Sequence, residues 1–391
     1  MTDWPNFGLF IMMEKPEHFM KMAINLAKRG IGSVEPNPPV GAVITKGNQI
    51  IGQGYHKKYG EEHAEIIALG DCKSLGISPE GGTLYVTLEP CCHHGKTGPC
   101  SHAVINAGIS KVYIATIDPA AHNNCQGVQA LKNAGIEVHV GTLEKEAKLL
   151  NAPFMKHAIT GKPWVVLKWA QTLDGCVSFA GKEKKLKWIS NERSRRDVHK
   201  LRRRSQAILV GINTVIADNP MLNVRPSKGK KLLRIVMDSF LKIPPDCKLL
   251  KTADDDPVMI YTSQNTIDKN PEILQTIKQT KAELFAYPDT NGLSNIHYLI
   301  DELGKRGVQQ LLVEGGPTVL TSFIAENFAD EIYVYISPQI LGEHGGVKLA
   351  GPMSNLPQSL NLKNVTLKTF GDNVRITGLT SKALRELGIS E

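Results

Sequence analysis

Apolar residues recur with helical spacing and in short strand-like runs along the first part of the chain. The segment 16–30 ends in glycine and carries apolar residues at helical intervals, so it predicts a helix. Runs at 40–46 and 50–56, joined by Gly47-Asn48, predict a hairpin. Further runs predict a helix starting at Glu62-His63-Ala64-Glu65, a strand at 83–88, a helix at 101–107, a strand at 111–117, and a helix and strand within 128–140. This alternation predicts a sheet covered by helices.

The same alternation continues in the second part of the chain. A helix is predicted at 143–159, and Gly161-Lys162-Pro163 predicts a linker. A buried strand then runs from Trp164 towards a turn at Asp174-Gly175. Further strands are predicted at 206–211, 233–238, 257–262, 308–314 and 331–337. Because 391 residues exceed what one core usually serves, we expect two α/β domains, 1–160 and 161–391.

Composition narrows the class of protein. Hydrophobic residues make up 41% and charged residues 21% of the chain, as in ordinary globular proteins. The apolar runs are strand-sized, and Asp3 stands where a signal peptide needs basic charge. Seven scattered cysteines do not form a disulfide framework, so we expect a reduced, cytoplasmic protein. The formal charge of +8 favours an anionic partner, either nucleic acid or a small phosphorylated ligand.

Cysteine and histidine are concentrated in the stretch 89–100, Glu-Pro-Cys-Cys-His-His-Gly-Lys-Thr-Gly-Pro-Cys. A disulfide, a closed structural zinc site and a catalytic zinc site with one open position are the alternatives. His-x-Glu followed later by Pro-Cys and a second cysteine is the zinc deaminase pattern, in which the glutamate is not a ligand. We therefore predict that His63, Cys91 and Cys100 bind zinc.

Each residue type in this group has a chemical reason. Three protein ligands leave the fourth position for water, whose pKa zinc lowers from about 15.7 to about 7. Glu65 is predicted to carry the proton from that water to the departing amine. Cys92 is the alternative ligand to Cys91, although adjacent cysteines rarely reach one tetrahedral metal. His93 and His94 face either the substrate or the solvent.

The motifs of the first half resemble a known family. Pro-Asn-Pro-x-Val-Gly, His-Ala-Glu and Thr-Leu-Glu-Pro-Cys-x-His-His-Gly-x-Thr-x-Pro-Cys are similar to the N-terminal domain of the bifunctional riboflavin-biosynthesis deaminase/reductase family. The wide spacing between Cys91 and Cys100 is that family's own pattern. The resemblance implies a cytidine-deaminase-like three-layer domain that removes the amine of a phosphoribosylamino-pyrimidine.

Segments of the second half resemble the same family's C-terminal reductase domain, of dihydrofolate-reductase-like fold. They are 168–175, 188–190, 195–197, 214–225 and 314–318. The resemblance implies that NADPH binds near Ala170, Trp188, Thr214, Asp218, Gly316, Pro317 and Thr318. It implies that substrate binds near Leu186, Arg202, Leu222, Arg225 and Glu314. Either Lys168 or Asp218 is expected to assist ring opening or protonation.

Arginine and lysine are concentrated between residues 193 and 204, where seven of them occur. Most are expected on a solvated helix face. Arg202, together with Arg225 from the following loop, is predicted to hold the substrate phosphate, because arginine binds phosphate bidentately. The glycine pair in 314–318, between a strand and a helix, would let main-chain N–H groups approach a phosphate.

Three functions compete. The leading hypothesis is zinc-dependent deamination of 2,5-diamino-6-(5-phosphoribosylamino)pyrimidin-4(3H)-one, followed by hydride reduction of its ribosyl group to ribityl by NADPH. A nucleic-acid base deaminase with a basic accessory domain is the alternative, but the basic segment 193–204 lacks the aromatic residues that stack on bases. A structural metal with a ligand sensor is the third, and such a site has no need of Glu65. We expect a small phosphorylated pyrimidine as partner, no nucleic acid, no membrane, and a homo-oligomer.

Overall fold

Strands and helices alternate along the chain as the hydrophobic pattern predicts. A computed structural model describes residues 15–92, 98–120, 123–179, 188–225, 230–288, 296–348 and 359–390. The chain divides into two compact units, Met1–Ala158 and Ile159–Glu391. Within the described ranges, every helix is too short or too polar to cross a membrane.

The first unit is built on one mixed sheet. Its strands are β1 (Gly41–Lys46), β2 (Gln49–Tyr55), β3 (Thr83–Val86), β4 (Lys111–Ile114) and β5 (Glu137–Val140). The strand order is β2-β1-β3-β4-β5, with β1 antiparallel to β2 and β3, and with β3, β4 and β5 parallel. The helices are α1 (Pro16–Ala27), α2 (Ala64–Ser74), α3 (Cys100–Asn106), α4 (Gln126–Asn133), α5 (Glu144–Leu150) and α6 (Ala152–Thr160).

Helices cover both faces of this sheet. Ile44 and Leu84 pack with apolar residues of α2, α3 and α4 in one buried cluster. Val43 and Tyr85, their neighbours along the same strands, point to the opposite face and pack with α1 and α5. This alternation follows from the two-residue period of a strand. The three-layer arrangement expected from the sequence is confirmed.

The single helix predicted at 143–159 is wrong, because two helices, α5 and α6, occupy this stretch. They are separated at Asn151, which is fully buried and donates from its side chain to the Ala147 carbonyl at 3.3 Å. Pro153 follows in the first turn of α6. Proline has no N–H for a helical hydrogen bond and is tolerated only near the start of a helix, so it forces a new helix to begin there.

The second unit contains eleven strands within the described ranges. They are β6 (Trp164–Thr172), β7 (Cys176–Phe179), β8 (Ala207–Gly211), β9 (Leu233–Met237), β10 (Val258–Ser263), β11 (Glu283–Tyr287), β12 (Gln310–Val313), β13 (Glu331–Ser337), β14 (Gly346–Lys348), β15 (Lys363–Phe370) and β16 (Asn373–Leu379). The helices described there are α7 (Glu192–Arg204), α8 (Ile212–Asp218), α9 (Lys248–Lys251), α10 (Gln264–Lys269), α11 (Pro271–Lys278), α12 (Ile296–Lys305), α13 (Pro317–Ala325), α14 (Gly342–Gly345) and α15 (Ser381–Glu386).

Nine of these strands form one sheet with the order β11-β10-β9-β8-β12-β6-β13-β16-β15. The seven strands from β11 to β13 are parallel to their neighbours, and β16 and β15 are antiparallel at one end. The six strands predicted from the sequence in this part all occur, and β6 lies between β12 and β13. The prediction missed β7, β11, β14, β15 and β16.

The parallel strands are buried by helices. On one face, Val165 and Leu311 belong to a large apolar cluster that includes residues of α12 and α13. Helix α7 contacts β12 and buries Val198 and Leu201, its only two aliphatic side chains. A parallel sheet needs cover on both faces, which explains the continuous apolar runs that identify these strands in the sequence.

Helix α2 packs unusually close to β2. A Cβ atom at Gly54 would lie 2.6 Å from the Ala64 carbonyl oxygen and 2.7 Å from the Ala68 nitrogen. At Gly52 it would lie 2.4 Å from the Ala68 carbonyl oxygen. Glycine at these two positions therefore allows the helix that begins after His63 to lie directly on the strand.

Alanine in place of Gly54 is expected to lower the free energy of unfolding of the first unit by about 1–3 kcal/mol, because the added methyl group overlaps main-chain atoms of α2. Calorimetry on the full chain measures the loss. Gly70→Ala is the matched control. Gly70 is exposed in the same helix, and its added Cβ would meet nothing within 4 Å, so this change should stabilise by about 0.5–1 kcal/mol. A neutral Gly54→Ala would contradict the close packing.

Candidate active sites

Three side chains from separate elements of the first unit converge on one point. His63 is the residue before α2, Cys91 follows β3, and Cys100 is the first residue of α3. The His63 Nδ1 atom lies 3.6 Å from the Cys91 Sγ and 3.3 Å from the Cys100 Sγ. The Cys100 main-chain N–H donates to the Cys91 Sγ at 3.3 Å. The residues predicted as metal ligands are thus brought together by the fold.

The spacing and chemistry of these donors suit zinc. The three ligand atoms all lie within 4.8 Å of one another. Ligand atoms on a tetrahedral zinc with ordinary Zn–S and Zn–N bonds lie about 3.5–3.8 Å apart, close to the distances seen from His63. One imidazole and two thiolates form a donor set that zinc prefers. The site therefore fits zinc without rearrangement of the main chain.

Cys92, the alternative ligand, points elsewhere. Its Sγ lies 3.5 Å from the Gln126 Oε1, and in the part of the chain that the structure describes His63, Cys91 and Cys100 are the one group able to hold a metal. Cys91 and Cys100 are free thiols, which removes the disulfide alternative. His93 and His94 lie outside the described residues.

Glu65 lies in the first turn of α2 with only 3% of its surface exposed. Its carboxyl group contacts the Cys100 thiol. Burial, together with the charge of Cys91, raises the pKa of Glu65 to about 7. A hydrogen bond from the Cys100 thiol lowers the pKa of Cys91 to about 4, and the same hydrogen bond raises that of Cys100.

A buried histidine beside the metal group, His56, was not predicted from the sequence. His56 is 2% exposed and packs edge-on against His63, with ring centroids 5.3 Å apart. Its Nδ1 lies 2.9 Å from the Glu62 carbonyl, so Nδ1 carries the hydrogen and Nε2 accepts from the Asn37 amide at 3.1 Å. Burial lowers the pKa of His56. The sequence did offer a sign of its role, because His56 stands at the end of an apolar strand and only seven residues before His63.

In the second unit, Glu314 lies between two basic side chains. Arg202 donates from Nε to Oε1 at 2.7 Å and from Nη2 to Oε2 at 2.9 Å, and Lys168 lies 3.5 Å from Oε2. The Glu314 side chain is 8% exposed. Burial alone would raise the pKa of Glu314, but Arg202 and Lys168 hold it at about 2. The carboxylate is therefore charged throughout the neutral pH range.

Arg202 was predicted to hold the substrate phosphate, and the structure shows it engaged within the protein. Besides its two hydrogen bonds to Glu314, its Nη1 donates to the Asn223 carbonyl at 3.0 Å. Asn223 follows Leu222, which is 3% exposed and has a positive φ of 52°. The helix α7 thus holds the loop that carries the predicted substrate residues. A phosphate contact from Arg202 stays a prediction.

His199, one turn before Arg202 on α7, was also missed. Its Nδ1 accepts the main-chain N–H of Arg225 at 3.1 Å. Burial, reinforced by the charges of Arg202 and Arg225, lowers the pKa of His199 to about 4. A neutral imidazole therefore fixes the main chain at Arg225, whose side chain is exposed.

The residues predicted to bind NADPH lie mostly where parallel strands end. Thr214 is in α8, after β8, and its Oγ1 would lie 3.6 Å from a Cβ at Gly316. The Gly211 N–H donates to the Gly315 carbonyl at 2.9 Å. This bond joins the end of β8 to the residues just before α13, whose first two residues are Pro317 and Thr318. Strand ends of this kind are the usual ligand sites of open parallel sheets.

The other predicted cofactor residues are more dispersed. Ala170 lies in β6, opposite Tyr335 of β13. Trp188 is 56% exposed, and the Arg195 guanidinium stacks on it at 4.9 Å from the ring centroid. Asp218 ends α8 and is exposed. Leu186, predicted at the substrate, lies outside the described residues.

Comparison with known families matches both units. The cytidine and deoxycytidylate deaminase zinc-binding region matches residues 13–116, which include all three cysteine and histidine donors. The RibD C-terminal domain matches residues 163–376. A curated RibD protein of Aquifex aeolicus is 40% identical over 94% of this chain and 99% of its own length.

The chain belongs to the RibD family. The RibD protein of Escherichia coli is 36% identical over 83% of this chain and 88% of its own length. Among solved structures, RibD of Acinetobacter baumannii has a TM-score of 0.78 and 34% identity, covering 94% of this chain and 99% of that one. The Thermotoga maritima diaminohydroxyphosphoribosylaminopyrimidine deaminase/5-amino-6-(5-phosphoribosylamino)uracil reductase has a TM-score of 0.78 and 33% identity, covering 93% and 98%.

Family membership confirms the main sequence-based expectations. The chain is a bifunctional deaminase and reductase of riboflavin biosynthesis that needs zinc and NADPH. Its fold combines a cytidine-deaminase-like domain with a RibD reductase domain. A nucleic-acid deaminase with a basic accessory domain is not supported, because the second half is a reductase domain.

Arg202→Met is expected to destabilise the second unit by about 3 kcal/mol at neutral pH, because it leaves a buried carboxylate with only Lys168 as partner. The pKa of Glu314 in the folded protein is about 2, below its usual 4.5. The stabilisation is therefore complete above pH 4.5 and is lost as the pH falls towards 2. The penalty of the substitution should shrink over the same range.

Urea unfolding followed by tryptophan fluorescence measures this effect, since three of the four tryptophans, Trp164, Trp169 and Trp188, lie in the second unit. Arg203→Met is the control, because Arg203 is the next residue of α7 and is exposed. It should change stability by less than about 0.5 kcal/mol. Equal losses from both substitutions would refute the importance of the Glu314 pair.

Proposed function

We propose that residues 1–160 deaminate 2,5-diamino-6-(5-phosphoribosylamino)pyrimidin-4(3H)-one and that residues 161–391 reduce the ribosyl group of the product to ribityl. The convergence of His63, Cys91 and Cys100 beside Glu65 carries the first assignment. The name of the Thermotoga relative supports both substrates. The exposed guanidinium of Arg225 suits a phosphorylated substrate.

In the deaminase half, His63, Cys91 and Cys100 would hold zinc. The chemistry that zinc supplies when bound is the activation of water for attack on the amine-bearing carbon of the pyrimidine. In the overall reaction, water replaces the amine, a carbonyl forms and ammonia leaves. Glu65 contacts Cys100 and lies outside the group of three ligand side chains. It would take a proton from water and give one to the departing nitrogen.

In the reductase half, the chemistry that NADPH would supply when bound is hydride transfer. In the overall reaction, the bond between C1′ and the ring oxygen of the ribosyl group breaks, C1′ gains the hydride, the ring oxygen gains a proton, and the cofactor is oxidised to NADP⁺. We propose that the cofactor binds against Ala170, Trp188, Thr214, Asp218 and the turn Gly316-Pro317-Thr318. The proximity of Thr214 to Gly316 supports a common surface for it. Lys168 and Asp218 remain the alternatives for the proton donor.

The substrate would lie beside Glu314 and the loop with Leu222 and Arg225. Glu314 is a fixed anion that can accept hydrogen bonds from sugar hydroxyl groups, and Arg225 offers an exposed guanidinium for the phosphate. Arg202 would position Glu314 and the loop, with any direct phosphate contact in addition. A homo-oligomer and a cytoplasmic location remain predictions.

Glu65→Gln is expected to retain zinc but to lose about 10²–10⁴-fold in deamination rate, because the amide cannot carry a proton. Deamination is followed by pyrimidine absorbance without NADPH, and zinc by metal analysis. NADPH oxidation with the pre-deaminated substrate should keep its normal rate. Cys100→Ser, which removes a proposed ligand, is the zinc-deficient reference. Deamination at a near-normal rate by Glu65→Gln would remove Glu65 from the mechanism.

Arg225→Ala is expected to raise KM for the phosphorylated substrate of the reductase by about 10–100-fold, the loss of one charged hydrogen bond. The affinity for NADPH, measured by fluorescence titration without substrate, should not change. Arg203→Ala removes a nearby exposed arginine and should leave both values unchanged. A weaker affinity for NADPH in Arg225→Ala would assign this loop to the cofactor.

A further inference from the structure

The buried carboxylate of Glu89 lies three residues after the end of β3 and two residues before Cys91. Glu89 is 3% exposed. Its Oε1 accepts the main-chain N–H of Val128 at 3.0 Å, and its Oε2 accepts those of Cys125 at 3.1 Å and Asp118 at 3.3 Å. A single side chain therefore fixes three main-chain positions of the segment 118–128.

A residue of the same segment, Asn123, also binds the main chain at Cys92, on the other side of Cys91. Asn123 is fully buried; its Oδ1 accepts the Cys92 N–H at 3.1 Å, and its Nδ2 donates to the Asp118 carboxylate at 3.2 Å. At Gly127 an added Cβ would lie 2.1 Å from the Pro90 carbonyl oxygen. The residues before and after Cys91 are therefore both fixed to one support.

Burial of the Glu89 carboxylate costs free energy, and apolar packing does not offset this cost. Burying a carboxylate is unfavourable unless hydrogen bonds replace its hydration, and the three N–H groups of the turn supply them. Among the described residues, the Cys91 Sγ contacts the His63 ring and the Cys100 main-chain N–H, which both belong to the metal group. The main chain must then set where this thiol lies.

We propose that Glu89 is a positioning residue for zinc, holding Cys91 where its thiol completes the ligand group with His63 and Cys100. This inference rests on the proposed zinc ligands. Glu89 does not touch the metal group; it acts through the main chain of Pro90 and Cys91. Residues that orient metal ligands in this way commonly change metal affinity by about 10–100-fold.

The test is the rate at which the full-length protein releases zinc to an excess of a chromogenic chelator. Glu89→Gln keeps the size of the side chain but places an amide donor against an N–H group, so zinc should leave about 10–100-fold faster. Glu80→Gln is the matched control, because Glu80 is exposed in the same unit, and its release rate should equal that of the unchanged protein. Reduction of pre-deaminated substrate reports only that the second unit is folded, so the folding of the first unit is followed by its thermal unfolding transition.

Thermal unfolding with zinc and after chelation separates positioning from a purely structural role. If Glu89 positions Cys91, Glu89→Gln lowers the melting temperature of the zinc-bound protein more than that of the zinc-free protein. The proposal would be overturned if Glu89→Gln lowered the melting temperatures of the zinc-bound and zinc-free protein equally and left the rate of zinc release unchanged. Should Glu89→Gln not accumulate as folded protein, Asn123→Ala, which removes the acceptor for Cys92, decides the question by the same rate.

The ligand assignment is checked separately in the same assay. Cys100→Ser should bind little or no zinc. Full zinc content in Cys100→Ser would refute the ligand group itself, whatever Glu89→Gln does. Loss of zinc in Cys100→Ser with normal release from Glu89→Gln would instead leave the ligands in place and reject the role of Glu89.

Discussion

Parallel strands covered by helices on both faces leave almost no place for polar chemistry except where the strands end. In the second unit, Val165 and Leu311 are part of a continuous apolar core, and Glu314 follows β12 directly. In the first unit, Cys91 lies in the loop five residues after the end of β3. Burial of the sheets is therefore what gathers reactive side chains at one edge of each unit.

Three glutamates at these edges differ in the partners of their carboxyl groups. Glu65 has no basic side chain among its partners other than His63, and burial takes its pKa to about 7. The Glu314 side chain is 8% exposed, and two cations hold its pKa at about 2. Glu89 is satisfied by three main-chain N–H groups. Partners, rather than burial, decide whether each carboxylate carries protons, stays charged or supports the main chain.

Local patterns in the sequence were sufficient to predict the residues of the metal group and the positions of the buried strands. His63, Cys91 and Cys100 lie in short motifs, and apolar runs reveal strands such as β6 and β8. Of the strands missed, β7 and β14 are short, β11 and β15 lie at the sheet edges, and β16 lies inside the sheet with an irregular burial pattern. Strand β15, for example, has six consecutive exposed residues. The pairing of Arg202 with Glu314 joins residues 112 positions apart, and no local pattern reports such a contact. The basic helix therefore gave no sign that Arg202 also binds a carboxylate of the protein itself.

The strand order of the large sheet has a consequence for synthesis of the chain. Strand β6 is the first of its unit to be made, yet its neighbours in the sheet are β12 and β13. Lys168 and its partner Glu314 are 146 residues apart. The apolar side chains of β6 therefore stay without their native neighbours until most of the unit has left the ribosome. Contacts this distant in sequence form slowly, so the newly made chain passes through a long period in which it is prone to aggregate and suited to binding by chaperones.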